Sequence, residues 1–218
     1  MSKTIMDVSR WQGNIDWDKV KASGKIDGVM LRALGNSAKD KPSKPYIDPT
    51  FERNYRECKR LDIPCGVYYY CKAVNTAEAD AELAMLRKVL TGKTVQLPVA
   101  VDIEDLSQTV IGKNKLTDLA AYCLSTVESW GVYAMLYTGL YFGRTYLYMT
   151  CAALKPYDVW LAAYRSVKPS TDFAYGLLQY TSKGKVPGVS KGVDLSHAYK
   201  DYAAIIAKKG LDRLREGA

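Results

Sequence analysis

The chain has 218 residues, 48% hydrophobic and 25% charged, proportions near those of globular domains and a length that one barrel can use in full. Its 31 Lys+Arg against 23 Asp+Glu leave a net +8, which favours a polyanionic partner, yet the basic residues are scattered and no nucleic-acid module is recognisable, so nucleic acid is not the expected partner. Five cysteines without a C-x-x-C pair argue against a disulfide framework and a zinc site, and no apolar run is long enough to insert into a membrane.

The start MSKTIMDVSRWQG has no apolar h-region, so synthesis in the cytoplasm without a signal peptide is expected. From there, short apolar or aromatic runs alternate with amphipathic segments, the pattern of βαβ units in a parallel sheet. The predicted strands are Ile5–Ser9, Gly28–Leu34, Gly66–Ala73, Leu97–Ile103, Tyr133–Thr138, Asp158–Ala163, Tyr175–Tyr180 and Val193–Leu195, eight in all. Eight strands close a barrel. Between them the periodicity predicts helices over Trp17–Ser23, Thr50–Leu61, Thr76–Leu90, Leu116–Trp130 and Leu140–Thr150. In the third, Thr76 opens the helix with Glu78 and Asp80 in its first turn, and Ala81, Ala84, Met85 and Val89 form its packing face. The links 164–174 and 181–192 are rich in Pro, Gly, Ser and Lys and read as loops, as does Lys39–Lys44. Residues 200–209 read as a terminal helix that packs through Ala203, Ile205, Ile206 and Ala207. The expected fold is therefore α/β, a TIM-like β/α barrel of eight strands with a reduced set of helices. The barrel occupies 1–199, and 200–218 is a C-terminal helix on the same domain.

The stretch LPVAVDIED, Leu97–Asp105, carries the chemistry. Its apolar start reads as a strand buried on both faces, and its end places three carboxylates where barrels keep their reactive groups. Alternation points Asp102 and Glu104 the same way, roughly 6.5–7 Å apart at Cβ, and puts Asp105 in the following loop. Such a pair can supply one acid and one base near neutral pH, as glycosidic cleavage requires. An acidic loop or a cation site would show the same D-x-E. Barrel closure brings Asp7 of DVSRWQG and Asp194 of GVDLS to the same rim, although a capping or turn role would also suit either residue. Tyr68, Tyr69, Tyr70, Tyr137, Trp160, Tyr164 and Tyr180 fall on or beside predicted strands, and the excess of 17 tyrosines over 3 phenylalanines points to a wet, hydrogen-bonding cavity for a sugar.

Together, DVSRWQGNIDWDKV, YIDPTFERNY, CGVYYY, LPVAVDIED, YTGLYFG, VWLAAY and LQYTSKGKVPGVSKGVDLS resemble the glycoside hydrolase family 25 lysozymes, the Chalaropsis-type muramidases, in family order from Met6 to Ser196. The resemblance implies hydrolysis of the β-1,4 bond between N-acetylmuramic acid and N-acetylglucosamine in bacterial peptidoglycan. It implies Glu104 as general acid and Asp102 as the carboxylate that orients or stabilises the reacting acetamido group or otherwise supports the transition state, with inversion, retention and substrate assistance all left open by the spacing. Asp7 and Asp194 follow as flanking site aspartates, with Tyr69, Tyr137, Trp160 and Gln179 around the sugar. No metal or organic cofactor is implied. The protein is expected to be a monomer, released to the wall through phage holin pores or by lysis, with a bacterial autolysin exported by another route as the alternative setting. An inactive wall-binding barrel and a chitinase-like glycosidase are the alternative functions. Two departures imply altered substrate contacts. Leu31-Arg-Ala-Leu-Gly35 lacks the glutamate of the family's K-A-T-E-G, and Tyr68-Tyr69-Tyr70 stands where Y-H-Y is common. With wall targeting resting on the cleft and the net positive charge, activity on cell walls is expected to fall steeply from ~0.1 to ~1 M salt as the Debye length shrinks from about 10 to 3 Å. Rates of wall clearing across that range check it, and a flat response would contradict it.

Overall fold

The computed structural model describes residues 2–37, 44–165 and 167–215. The apolar runs pair as β1 (Lys3–Val8), β2 (Gly28–Asn36), β3 (Pro45–Ile47), β4 (Cys65–Tyr70), β5 (Val99–Asp102), β6 (Ala134–Gly139), β7 (Asp158–Ala162), β8 (Leu177–Gly184) and β9 (Val193–Ala198). Because β1 pairs with β2 on one side and with β9 on the other, eight strands close into a barrel, while β3 hangs on β2 as an antiparallel outer strand. The sequence did not reveal β3, three residues that follow the segment Lys39–Lys44 predicted as a loop, of which residues 39–43 lie outside the described residues. Within the barrel β9 alone runs antiparallel to its neighbours. The cause is the short link 185–192, since a parallel crossover needs about a dozen residues or more.

Among the described residues six α-helices clothe the sheet, α1 (Trp17–Ala22), α2 (Phe51–Arg60), α3 (Thr76–Leu90), α4 (Lys113–Ser129), α5 (Leu140–Tyr146) and α6 (Tyr202–Lys209). Among the described residues neither the β7–β8 nor the β8–β9 link contains an α-helix, in line with their composition. Helix α3 corrects two expectations. Its cap is Asn75, whose side chain accepts from the Glu78 amide at 2.9 Å, rather than Thr76. Its buried face is Ala79, Glu82, Leu83, Leu86, Val89 and Leu90, whereas Ala81 and Ala84 are exposed and Met85 is half-buried. Alanine loses little by facing water, so the leucines, with more apolar area to hide, set the rotation of the helix.

Two apolar layers hold the barrel. Outward-facing side chains such as Val67, Val99, Val101 and Leu136 pack beneath the helices. Inward-facing Ile5, Met30, Ala100, Met135, Leu177 and Ala198 fill the end at which the parallel strands begin. Helix α6 closes that end with Tyr202 and Ile206, one turn apart; of the residues predicted to pack, only Ile206 is buried. A Cβ at Gly176 would collide with the Tyr202 hydroxyl, so glycine is what lets the ring seat. Tyr202 and Tyr133 both donate to Asp158 Oδ2, at 3.1 and 2.8 Å. Tyr202→Ala removes this plug and leaves Asp158 short of a donor, and is expected to lower stability by about 3 kcal/mol, or roughly 6–12 °C for a domain of this size. Thermal unfolding checks it, and a shift below a degree would show that α6 adds nothing to the barrel.

Candidate active site

The opposite end of the barrel, where the parallel strands finish, is open and polar. Register fixes who meets whom there. Asp102, the last residue of β5, lies between Tyr70 of β4 and Tyr137 of β6, and Tyr137 is in turn opposite Trp160 of β7. Across the closing seam Asp7 of β1 is paired directly with Asp194 of β9. These side chains, with Glu104 beyond β5 and Gln179 of β8, line a cavity of about 730 Å³. A second depression shares Glu104, Tyr137 and Tyr164 with it, so the groove continues past the carboxylates on the side of Leu106, Tyr141 and Arg165.

A hydrogen-bond chain sets the floor. The Gln179 side-chain amide donates to Asp7 Oδ2 at 3.0 Å, while its carbonyl accepts from the hydroxyls of Tyr137 at 3.0 Å and Tyr164 at 2.9 Å. Trp160 is only 1% exposed, donates to Ser196 Oγ at 2.9 Å and meets Tyr137 edge-on, so it is the base of the cavity rather than a stacking platform. Arg32, on the β2 wall, is committed to buried Asp48 through Nε at 2.7 Å and a second nitrogen at 2.6 Å.

The electrostatics separate the acids. Burial, reinforced by Asp105 and Asp194 and offset by the Tyr137 hydroxyl, pushes Glu104 up to about 6. Asp102 is raised by burial and then by Glu104 and Asp7, against the pull of Arg32. Asp7 is raised by burial and by Asp194, and Asp194 by its own burial, moderated by Tyr164. Asp105 is the contrast. Partial burial opposes its ionisation, but the Ser107 amide at 2.8 Å and the Tyr70 hydroxyl at 2.7 Å, with Lys72 nearby, hold it below the usual carboxylate range. A charged Asp105 thus sits beside a Glu104 that holds its proton up to about pH 6. Among the described residues no group of three or more His, Cys, Asp or Glu is placed to hold a metal ion.

Of the residues singled out in the sequence, Asp7, Asp102, Glu104, Tyr137, Trp160, Gln179 and Asp194 converge on this cavity, and Tyr69 does not. Alternation along β4 sends Tyr68 and Tyr70 inward and Tyr69 outward into the layer beneath the helices, where it is fully buried. Leu34, in place of the family's second-strand glutamate, is likewise buried in that outer layer. Both departures therefore lie away from the cavity, which corrects the expectation that they alter substrate contacts. Arg10, Trp11, Arg32, Asn36 and Tyr46 line the cavity and were not singled out. Arg10 and Trp11 stand inside the DVSRWQG motif, three and four positions beyond Asp7, and that proximity was the available signal.

A closed barrel with a protonatable glutamate and a buried aspartate at the strand ends, on the floor of a long groove, is the architecture of a glycoside hydrolase. The model of glycosyl hydrolases family 25 matches residues 6–189, and the chain belongs to that family. It is 27% identical over 193 residues to the uncharacterized protein YegX of Escherichia coli K12, covering 88% of this chain and 67% of that one. It is 28% identical over 193 residues to the autolytic lysozyme of Clostridium acetobutylicum, covering 87% of this chain and 54% of the relative. The modular autolysin LytC of Streptococcus pneumoniae superposes with a TM-score of 0.77 at 25% identity over 91% of this chain and 47% of LytC. The spore cortex lytic enzyme SleM of Clostridium perfringens shares the fold at a TM-score of 0.76 and 24% identity, covering 90% of this chain and 67% of SleM. The chain spans about half the length of the autolytic lysozyme and of LytC.

Proposed function

We propose that this glycoside hydrolase acts on bacterial peptidoglycan as an N-acetylmuramidase, cleaving the β-1,4 bond from N-acetylmuramic acid to N-acetylglucosamine. The observation that carries the reading is Glu104, raised to about 6 beside buried Asp102 in a groove that continues on either side of it. A groove open past the acid accepts a polymer internally, as an endo-acting enzyme requires. Glu104 donates its proton to the glycosidic oxygen as the bond to C1 breaks. The acetamido oxygen of the muramic acid closes on C1, and Asp102 accepts a hydrogen bond from the acetamido N–H. Asp102 Oδ1 is buried without a hydrogen-bond partner from the protein, which suits that role. Water then attacks C1 and displaces the acetamido oxygen, so that the C1–O bond to the acetamido group breaks and the free acetamide re-forms; water gives its proton to the Glu104 carboxylate, which restores the acid and releases the product with its configuration retained. Tyr137 and Gln179 hold the floor against which the sugar ring rests, with Asp7 and Asp194 as its polar flank.

The test is digestion of purified peptidoglycan, borohydride reduction and mass spectrometry of the fragments. Ends carrying reduced N-acetylmuramic acid support the reading. Ends carrying reduced N-acetylglucosamine, or cleavage of chitin oligomers without cleavage of walls, would replace it with another glycosidase. An inverted first product in NMR would remove substrate assistance while leaving the bond assignment intact.

A further inference from the structure

We propose that the Arg10 guanidinium, held over the rings of Trp11 and Tyr46 at the rim of the groove, binds a carboxylate on the lactyl branch of muramic acid, a proposal that rests on the muramidase reading. This placement is built from the backbone up. Ser9 and Gln12 close a capping box around the turn Arg10–Gln12, with the Ser9 amide donating to Gln12 Oε1 at 2.9 Å. The Arg10 amide donates to Asp48 Oδ2 at 3.0 Å, and Asp48 is itself buried and locked to Arg32. The Arg10 backbone is thereby pinned before its side chain begins.

The side chain is held next. Its guanidinium carbon lies 5.0 Å from the centroid of Trp11 and 5.0 Å from that of Tyr46. Tyr46 reaches this place because its strand partner is Gly35, where any Cβ would collide with the tyrosine ring. The two ring contacts hold the guanidinium in place, and its planar N–H fork is the kind of group that matches a carboxylate two bonds at a time. Arg10 forms no ion pair among the described residues, and Trp11 beside it is 62% exposed.

Charge distribution then narrows the ligand. The centre of the cavity carries Asp7, Asp102, Glu104 and Asp194, and Arg32 on this wall is ion-paired to Asp48. Arg10, on the same wall, is without an ion-pair partner among the described residues and is placed to receive a negative group. N-acetylglucosamine offers none. Muramic acid offers one through its lactyl ether, either as the free lactyl carboxylate or, when a peptide is attached, as the carboxylates of that peptide.

The experiment compares KM for the wild type, Arg10→Ala and Arg10→Lys on three substrates. These are peptide-bearing glycan, the same glycan stripped by an amidase so that the lactyl carboxylate is free, and the stripped glycan with that carboxylate converted to a methylamide. If Arg10 reads the peptide, Arg10→Ala raises KM on the order of tenfold on the first substrate alone; if it reads the lactyl group, the rise falls on the second alone. Arg10→Lys, which keeps the charge and loses the planar fork, recovers only part of the loss. An equal change on all three substrates, or none on any, overturns the proposal. Failure of the wild type to release muramic acid ends would bring down the muramidase reading together with it, whereas wild-type cleavage with unchanged KM ratios removes the Arg10 assignment alone.

Discussion

Glu104→Gln is expected to lower the release of reducing ends by about 10²–10⁴-fold, the span of a lost general acid, and at the same time to raise the thermal midpoint at neutral pH. The two effects share one cause. Burial and the neighbouring Asp105 and Asp194 lift Glu104 from an ordinary 4.5 to about 6. The folded state therefore holds this proton more tightly than the unfolded chain does. Below about 4.5 both states are protonated and the site is not under strain; as pH rises through about 6 the folded protein must ionise an unfavourably placed group, and that stability is lost. The loss is on the order of 2 kcal/mol at neutral pH. Glutamine keeps the shape and never ionises, so the variant gains a few degrees at pH 7.5 and nothing at pH 4.5. Calorimetry at the two pH values checks this. A variant that is inactive and no more stable at pH 7.5 would leave Glu104 in the mechanism but deny that its site is electrostatically strained.

The barrel was legible because its signal is periodic. Buried parallel strands are continuous apolar runs, and eight of them recur along the chain. Boundaries were softer where the chain changes direction. Strand β8 begins at Leu177 and extends to Gly184, beyond the predicted end at Tyr180, because its partner β9 is antiparallel and the pair continues past the barrel wall as a hairpin with register shifts. The Asp102/Glu104 centre was readable because carboxylates at the end of an apolar strand are costly without a role. Tyr69 was misplaced because three consecutive tyrosines carry no mark of which faces inward; one residue of register decides it, and that register is set by pairing with β5. Of the rim formed by Arg10, Trp11 and Tyr46, the nearness of the first two to Asp7 was the one signal in the sequence; Tyr46 had none, since the turn at Arg10–Gln12 and the strand at Pro45–Ile47 come together only when β3 folds back on β2.

The pH profile of cleavage follows from the same cluster. With the acid at about 6, kcat/KM on glycan should fall tenfold for each unit above that value, reaching roughly 1% of its maximum at pH 8. The acid limb is set by Asp102, which must be ionised to take the acetamido N–H and which burial, Glu104 and Asp7 all raise. Two raised acids with opposite protonation requirements give a narrow, mildly acidic optimum, and the apparent values belong to the coupled cluster rather than to either residue alone. Asp105 separates the causes. It stays ionised beside Glu104 and does not line the cavity, so Asp105→Asn removes a charge that raises Glu104 without touching the sugar. The alkaline limb should then move to lower pH while the acid limb moves less, because Asp102 feels Asp105 only after burial, Glu104, Asp7 and Arg32. If the alkaline limb stays in place in Asp105→Asn, burial and Asp194 poise the acid without Asp105; if no alkaline limb exists in the wild type between pH 6 and 9, Glu104 is not the proton donor.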